Sequence, residues 1–180
     1  MVLKDAQSSG YINELRSLYE AAFPEDEKKD FNYMLGLRDE GKLEMLAIDD
    51  DGEFAGLIIN LLSDSNTVLL DYFAVSPDKR SSGIGGRALK LLLDRITGKK
   101  LIFEIEMQDD NALNAEDRRH RKSFYLKNGI KETGVFVNVY NTDFELLTND
   151  GKLSYEDYIS ALKNSMGDRV DRILKPRKLF

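Results

Sequence analysis

The chain has no cysteine, one histidine and only three prolines among its 180 residues. Without cysteine there can be no disulfide, thiolate metal ligand or cysteine nucleophile, and one histidine excludes a multi-histidine zinc site. No metal is expected. Long hydrophobic runs are missing too: even Phe54 to Leu62 is interrupted by Gly56 and Asn60, well short of the roughly 18 apolar residues that a membrane helix needs. Met1 to Gly10 is polar and lacks an apolar stretch followed by a small-residue cleavage site, so no secretory signal is read and a cytoplasmic protein is expected.

Basic charge is also scarce where the chain begins. Residues 1–60 carry 14 acidic and 6 basic side chains, residues 121–180 carry 8 and 11, and the whole chain has a net charge of −6. This balance argues against duplex nucleic acid as a partner, which calls for a net basic footprint. An acidic face could draw in a cationic amine, although solvated surface charge accounts for it more simply.

What is present is enough for one core. With 42% hydrophobic and 32% charged residues, and no internal repeat or low-complexity linker, residues 1–180 read as a single domain. Apolar spacing predicts helices over Tyr11 to Ala22 and Glu27 to Glu40. Strands follow at Leu43 to Asp49 and Phe54 to Leu62, joined through Asp50-Asp51-Gly52, and the polar cluster Ser63 to Asn66 turns the chain into a third at Thr67 to Val75. A helix then opens near Gly83, and Leu101 to Met107 is a strand with Ile102, Glu104 and Glu106 on one face. Strand, helix, strand implies a parallel crossover. A helix over Asp117 to Lys127, strands at Thr133 to Tyr140 and Asp143 to Thr148, and a helix from Ser154 to Asn164 complete the pattern. The basic tail, Met166 to Phe180, reads as a frayed terminus.

The segment from Val75 to Gly86, between a strand and a helix, carries the chemistry. Its glycines allow close backbone approach, and the unpaired amides of a helix N-terminus favour an anion such as pyrophosphate. Arg80 adds a cation. No Lys-Ser or Lys-Thr follows the glycines, which excludes a Walker loop. Gly83-Ile84-Gly85-Gly86-Arg87-Ala88 does match the dinucleotide fingerprint, with Glu104 about 20 residues further on. An NAD(P)-dependent oxidoreductase is therefore a rival reading. Against it, seven residues separate Val75 from Gly83, whereas that fold turns tightly on its first glycine.

Arg80, Gly83 and Gly85 fit the pyrophosphate motif of the GNAT superfamily of acyl-CoA-dependent N-acetyltransferases, which this sequence resembles. The likeness extends to Leu70 to Val75 with its Ser76-Pro77 exit, and to Ser123-Phe124-Tyr125-Leu126-Lys127-Asn128-Gly129-Ile130. It covers roughly residues 43–147, leaving a C-terminal helix and basic tail at 154–180. It implies an α/β (mixed α+β) fold, with a mostly antiparallel sheet around one central, splayed parallel pair, flanked by helices.

The resemblance further implies acetyl-CoA as donor and a primary amine, on a small molecule or a peptide, as acceptor. Phe73, Ala74 and Val75 would hydrogen-bond pantetheine, while Arg80, Ser81, Ser82, Gly83, Ile84, Gly85 and Gly86 would hold the pyrophosphate. Ser81 stands where many relatives carry glycine, which is tolerable if its φ is negative. Tyr125 aligns with the general acid, and Glu106 or Glu104 is the candidate base. Phe23, Asp71, Glu104 and Arg121 are candidates for the acceptor site. Arg118 and Arg121 depart from the family pattern and could pair with Glu104 and Glu106 or meet a carboxylate or phosphate on the substrate. His120 lies in a basic run that reads as a solvated helix face. A CoA-binding module without turnover is the rival within the fold, and a homodimer is compatible with it.

Overall fold

A computed structural model describes residues 1–25, 27–63 and 66–180. Asp64 and Ser65 of the expected turn at Ser63 to Asn66 lie outside the described residues. The chain divides into two compact units, Met1–Leu62 with Leu70–Thr97, and Ser63–Leu69 with Gly98–Phe180.

In the first unit, helix α1 (Ile12–Ala22) buries Leu15, Leu18 and Tyr19, the stripe that the three- and four-residue spacing predicts. Phe23 is extended and precedes Pro24, which ends the helix. Helix α2 (Phe31–Asp39) starts four residues later than the apolar pattern suggests. The cause is Asp30, whose carboxylate accepts the Tyr33 amide at 2.8 Å and caps the helix. Residues 27–30 are thereby released from the helix to serve as a connection.

Strand β1 (Val2–Asp5), which the polar N-terminus did not announce, pairs antiparallel with β2 (Leu43–Asp50). Strand β2 returns antiparallel as β3 (Glu53–Leu62) through Asp51 and Gly52, both at positive φ as a two-residue hairpin requires. Ala55 through Leu61 are buried, so β3 is covered on both faces. Strand β4 (Thr67–Val75) follows β3 in the sheet order, and α3 (Ile84–Arg95) buries Ile84, Ala88, Leu89 and Leu92.

In the second unit, the first residues of β4 (67–69) are followed by β5 (Lys100–Glu106), the next strand in the sheet order. Strand β5 pairs antiparallel with β7 (Thr142–Thr148), β7 with β6 (Lys131–Val139), and β6 with β8 (Arg177–Lys178). Helix α4 (Ala115–Lys127) stops at Asn128-Gly129, with Gly129 at φ 86° and the Ile130 amide returning to the Tyr125 carbonyl. Helix α5 (Tyr155–Met166) opens on a reciprocal capping box between Ser154 and Asp157.

The tail corrects the expectation of a frayed end. Val170–Leu174 forms a π-helical turn around the buried Val170. The Tyr140 amide donates to Leu174 O at 2.9 Å, the Leu179 amide to Phe136 O at 3.0 Å, and the Tyr155 hydroxyl to Pro176 O at 2.9 Å. Backbone groups that would otherwise need water find partners on the edge of β6. The fold is mixed α/β, a mostly antiparallel sheet with one parallel pair, flanked by helices. No helix among the described residues is long and apolar enough to cross a membrane.

Candidate active site

The glycine-rich segment lies at the exit of β4 in the first unit. After Val75 the chain makes a 3-10 turn at Pro77–Lys79 and reaches Gly83, the N-cap of α3, which is left-handed at φ 79°. No side chain caps this helix, so its opening amides at Ile84, Gly85 and Gly86 keep the anion-binding capacity of a helix N-terminus. Arg80 to Gly83 are exposed, while buried Ile84 anchors the loop to the core. Arg80 Nε donates to Val75 O at 3.1 Å, and Ser82 Oγ donates to Lys79 O at 2.6 Å. Together these bonds tie Arg80 to the end of β4 and Ser82 to the 3-10 turn.

Ser81 adopts φ 62°, so the condition under which a serine is easily tolerated here, a negative φ, is not met. A non-glycine residue in this region is crowded by its own Cβ. The serine therefore holds a conformation that glycine would hold more easily.

Gly56 is a residue that sequence reasoning passed over. A Cβ there would stand 2.4 Å from Ala74 O and 3.1 Å from Val75 Cα. Only glycine lets β3 pass this close to the end of β4. A glycine inside an otherwise apolar strand is the signal that could have found it.

Of the acceptor candidates in this unit, Phe23 and Asp71 both lie next to Tyr72. Phe23 packs edge-on to Tyr72 with centroids 4.9 Å apart, and Tyr19 does so at 4.8 Å. The Tyr72 hydroxyl donates to Glu27 O at 2.8 Å and accepts the Lys29 amide at 3.1 Å. Lys29 Nζ reaches both oxygens of Asp71, at 2.7 and 2.9 Å, and lies 5.2 Å from the Tyr72 ring centroid. The connection between α1 and α2 is thus fastened to β4 by a carboxylate and a phenol, with Lys29 as a participant that no motif pointed to.

The remaining candidates lie in the second unit. Glu106 is buried and surrounded by donors: Arg118 Nη2 at 2.8 Å on one oxygen, Arg121 Nη1 at 3.0 Å on the other, and Asn114 Nδ2 at 3.1 and 3.3 Å to the two. Arg118 is itself fully tied, donating from Nε to Asn114 Oδ1 at 2.8 Å and from Nη1 to Met107 O at 2.7 Å. Arg121 is half exposed. Glu104, two residues away on the same strand, accepts the hydroxyl of fully buried Tyr158 at 2.7 Å.

Tyr125 is buried against Phe103, with ring centroids 4.9 Å apart, and against Phe124 at 5.3 Å. Burial pushes its phenol up to about 12, with Arg121 pulling weakly the other way. At neutral pH the group is a neutral hydroxyl, able to donate. Asn114, which joins Glu106 to Arg118, was not legible in the sequence, because asparagine in a polar loop carries no signature of its own.

A family model for the acetyltransferase (GNAT) family matches residues 12–127. None of the curated proteins compared with the chain matches it significantly. Among solved structures, a GNAT-family protein of Bacteroides thetaiotaomicron is similar at TM-score 0.73 and 19% identity, covering 92% of this chain and 97% of that one. An aminoglycoside 6'-N-acetyltransferase complexed with coenzyme A gives 0.56 and 16%, covering 82% and 96%. The ribosomal-protein-S18-alanine N-acetyltransferase of Escherichia coli gives 0.56 and 19%, covering 81% and 93%. At these identities the structures show a shared fold, whereas the family model spans more than half of the sequence. The chain belongs to the GNAT acetyltransferase family.

Proposed function

We propose that the protein transfers an acetyl group from acetyl-CoA to a primary amine on a small molecule or peptide. The observation that carries this reading is the exposed loop from Arg80 to Gly83 that opens α3, whose N-terminus no side chain among the described residues caps and which is entered through left-handed Gly83. The coenzyme A bound by one fold neighbour supports the donor. The amides of Ile84, Gly85 and Gly86 hold the pyrophosphate, Arg80 adds charge, and the backbone of Phe73, Ala74 and Val75 takes the pantetheine arm.

The thioester supplies an activated acyl carbon. Transfer then needs a deprotonated amine, a stabilised oxyanion and a proton for the leaving thiolate. Glu106 is engaged by two guanidinium groups and an amide, so we assign it to positioning Arg118 and Arg121. Glu104, which accepts a neutral hydroxyl, is assigned the ammonium proton. Tyr125 supplies a hydrogen bond to the departing sulfur. A phenol near 12 gives up its proton less readily than a thiol near 8.5, so Tyr125 donates without full transfer. The proton that ends on sulfur is the one the attacking nitrogen sheds as the amide forms. Phe23 and Asp71 are assigned to the acceptor.

Thermal shift with acetyl-CoA and NAD, followed by a thiol-release assay over amines and peptide N-termini, tests the reading. Stabilisation by acetyl-CoA with amine-dependent thiol release is expected, and a donor at 100 times its Kd adds about 2.7 kcal/mol. Stabilisation by NAD alone would overturn it. Acetyl-CoA binding without turnover on any amine would leave a CoA-binding module.

A further inference from the structure

The folded tail and the β6–β7 turn line an open groove of about 870 Å³, with Tyr140, Asn141, Ile173, Lys175 and Arg177 among its walls. This is the volume of a pocket for a small organic molecule rather than for a bare ion. Its charge is one-sided. Asp171 on the rim is taken by Lys163 at 2.9 Å, while among the described residues neither Lys175 nor Arg177 has an ion-pair partner.

Arg177 is also held in place. Arg177 Nη2 donates to Asn138 Oδ1 at 3.1 Å, and the same asparagine, itself buried, donates from Nδ2 to Asp143 Oδ1 at 2.6 Å. This chain fixes one nitrogen of the guanidinium and leaves further donors for a ligand. The backbone of Lys175 takes the left-handed conformation, φ 45°, that ends the π-helical segment. Opposite in character are Tyr140 and Ile173, which remain 63% and 51% exposed. Large apolar side chains left open beside unpaired cations mark a surface suited to an amphipathic ligand.

We propose that this pocket binds a small organic anion, with a carboxylate or phosphate oxyanion between Lys175 and Arg177 and an apolar body against Tyr140 and Ile173. Arg can grip such an oxyanion with two parallel N–H groups, and Lys adds a point charge. The site stands on unit-two residues alone and is independent of the acetyl-transfer reading.

The test is a titration of the full-length, 15N-labelled chain with benzoate, phenyl phosphate and neutral benzyl alcohol, following the amides of Tyr140, Asn141 and Lys175. Saturable shifts with either anion and none with the alcohol are expected. The stronger of the two anions tells whether carboxylates or phosphate esters are the natural class. The double variant Lys175→Asn with Arg177→Gln should weaken binding at least about tenfold, asparagine being chosen because it tolerates the left-handed backbone. If that variant does not fold, each single substitution must weaken binding about threefold or more. Absence of a saturable shift, an equal response to benzyl alcohol, or undiminished affinity in the variants would overturn the proposal.

Discussion

Arg118 Nη2 stands 2.8 Å from Glu106 Oε1, and the same guanidinium spends its other nitrogens on Asn114 and the Met107 carbonyl. A carboxylate on β5 thereby fastens the start of α4 and the loop that leads into it. Replacing Glu106 by alanine leaves two guanidinium groups facing an uncompensated, mostly buried space. Unfolding in urea should show a loss of about 3 kcal/mol, the range for breaking one partner out of a buried pair. A loss below about 1 kcal/mol would mean the cluster behaves as an exposed one.

Ser81→Gly should stabilise the protein. Relief of the left-handed strain, about 1–2 kcal/mol, outweighs the roughly 0.5–1 kcal/mol of added chain entropy. The denaturation midpoint is therefore expected to rise by the equivalent of up to about 1.5 kcal/mol. A fall in the midpoint would show that a bond of the serine outweighs the strain.

Gly56→Ala should push the end of β4 away, because the new methyl would lie 2.4 Å from Ala74 O. Overpacking of this kind costs about 1–3 kcal/mol. The same displacement should weaken acetyl-CoA binding, read as a smaller thermal shift at equal ligand concentration. An unchanged shift would separate the β4 terminus from the donor site.

Tyr125→Phe keeps the ring against Phe103 and removes only the hydroxyl. The fold should hold to within about 1.5 kcal/mol, and acetyl-CoA affinity should not change. Turnover should fall about tenfold, the rate equivalent of losing one hydrogen bond of about 1.5 kcal/mol in the transition state. Steady-state kinetics with the best amine of the panel measures it, and an unaltered kcat would remove Tyr125 from the mechanism.

Asp49 links β2 to two other elements, accepting Lys4 Nζ at 2.7 Å, the Tyr11 hydroxyl at 2.9 Å and the Gly52 amide at 3.0 Å. The Lys4 ammonium above all, and then the Gly52 amide, hold its carboxyl down to about 2. An unfolded aspartate titrates near 3.9. The stabilisation is thus fully present above about pH 4 and is lost as pH falls toward 2. Melting curves of wild type and Asp49→Asn should differ at neutral pH and converge in acid. A gap independent of pH would refute this role.

Local signals carried much of the architecture. The α1 stripe, the strand from Thr67 to Val75 and the Ser154 capping box all lie where residue spacing puts them. The glycine loop was equally legible, because a left-handed N-cap and close backbone approach demand particular residues in consecutive order. The late start of α2 was not, since one Asp30 side chain outvoted four residues of apolar pattern. Strand β1 and the folded tail were missed because their main driving force is an edge offered by distant strands.

The sequence by itself determined the order of helices and strands, the cradle before α3 and membership of the family, all matters of neighbours along the chain. Only the tertiary structure decided what the charged groups do. Lys29 meets Asp71 across 42 residues, Glu106 is claimed by Arg118 and Arg121, and among the described residues Lys175 and Arg177 have no carboxylate partner. Charge pairing depends on distance through space and on loss of water, and neither quantity is written in residue order.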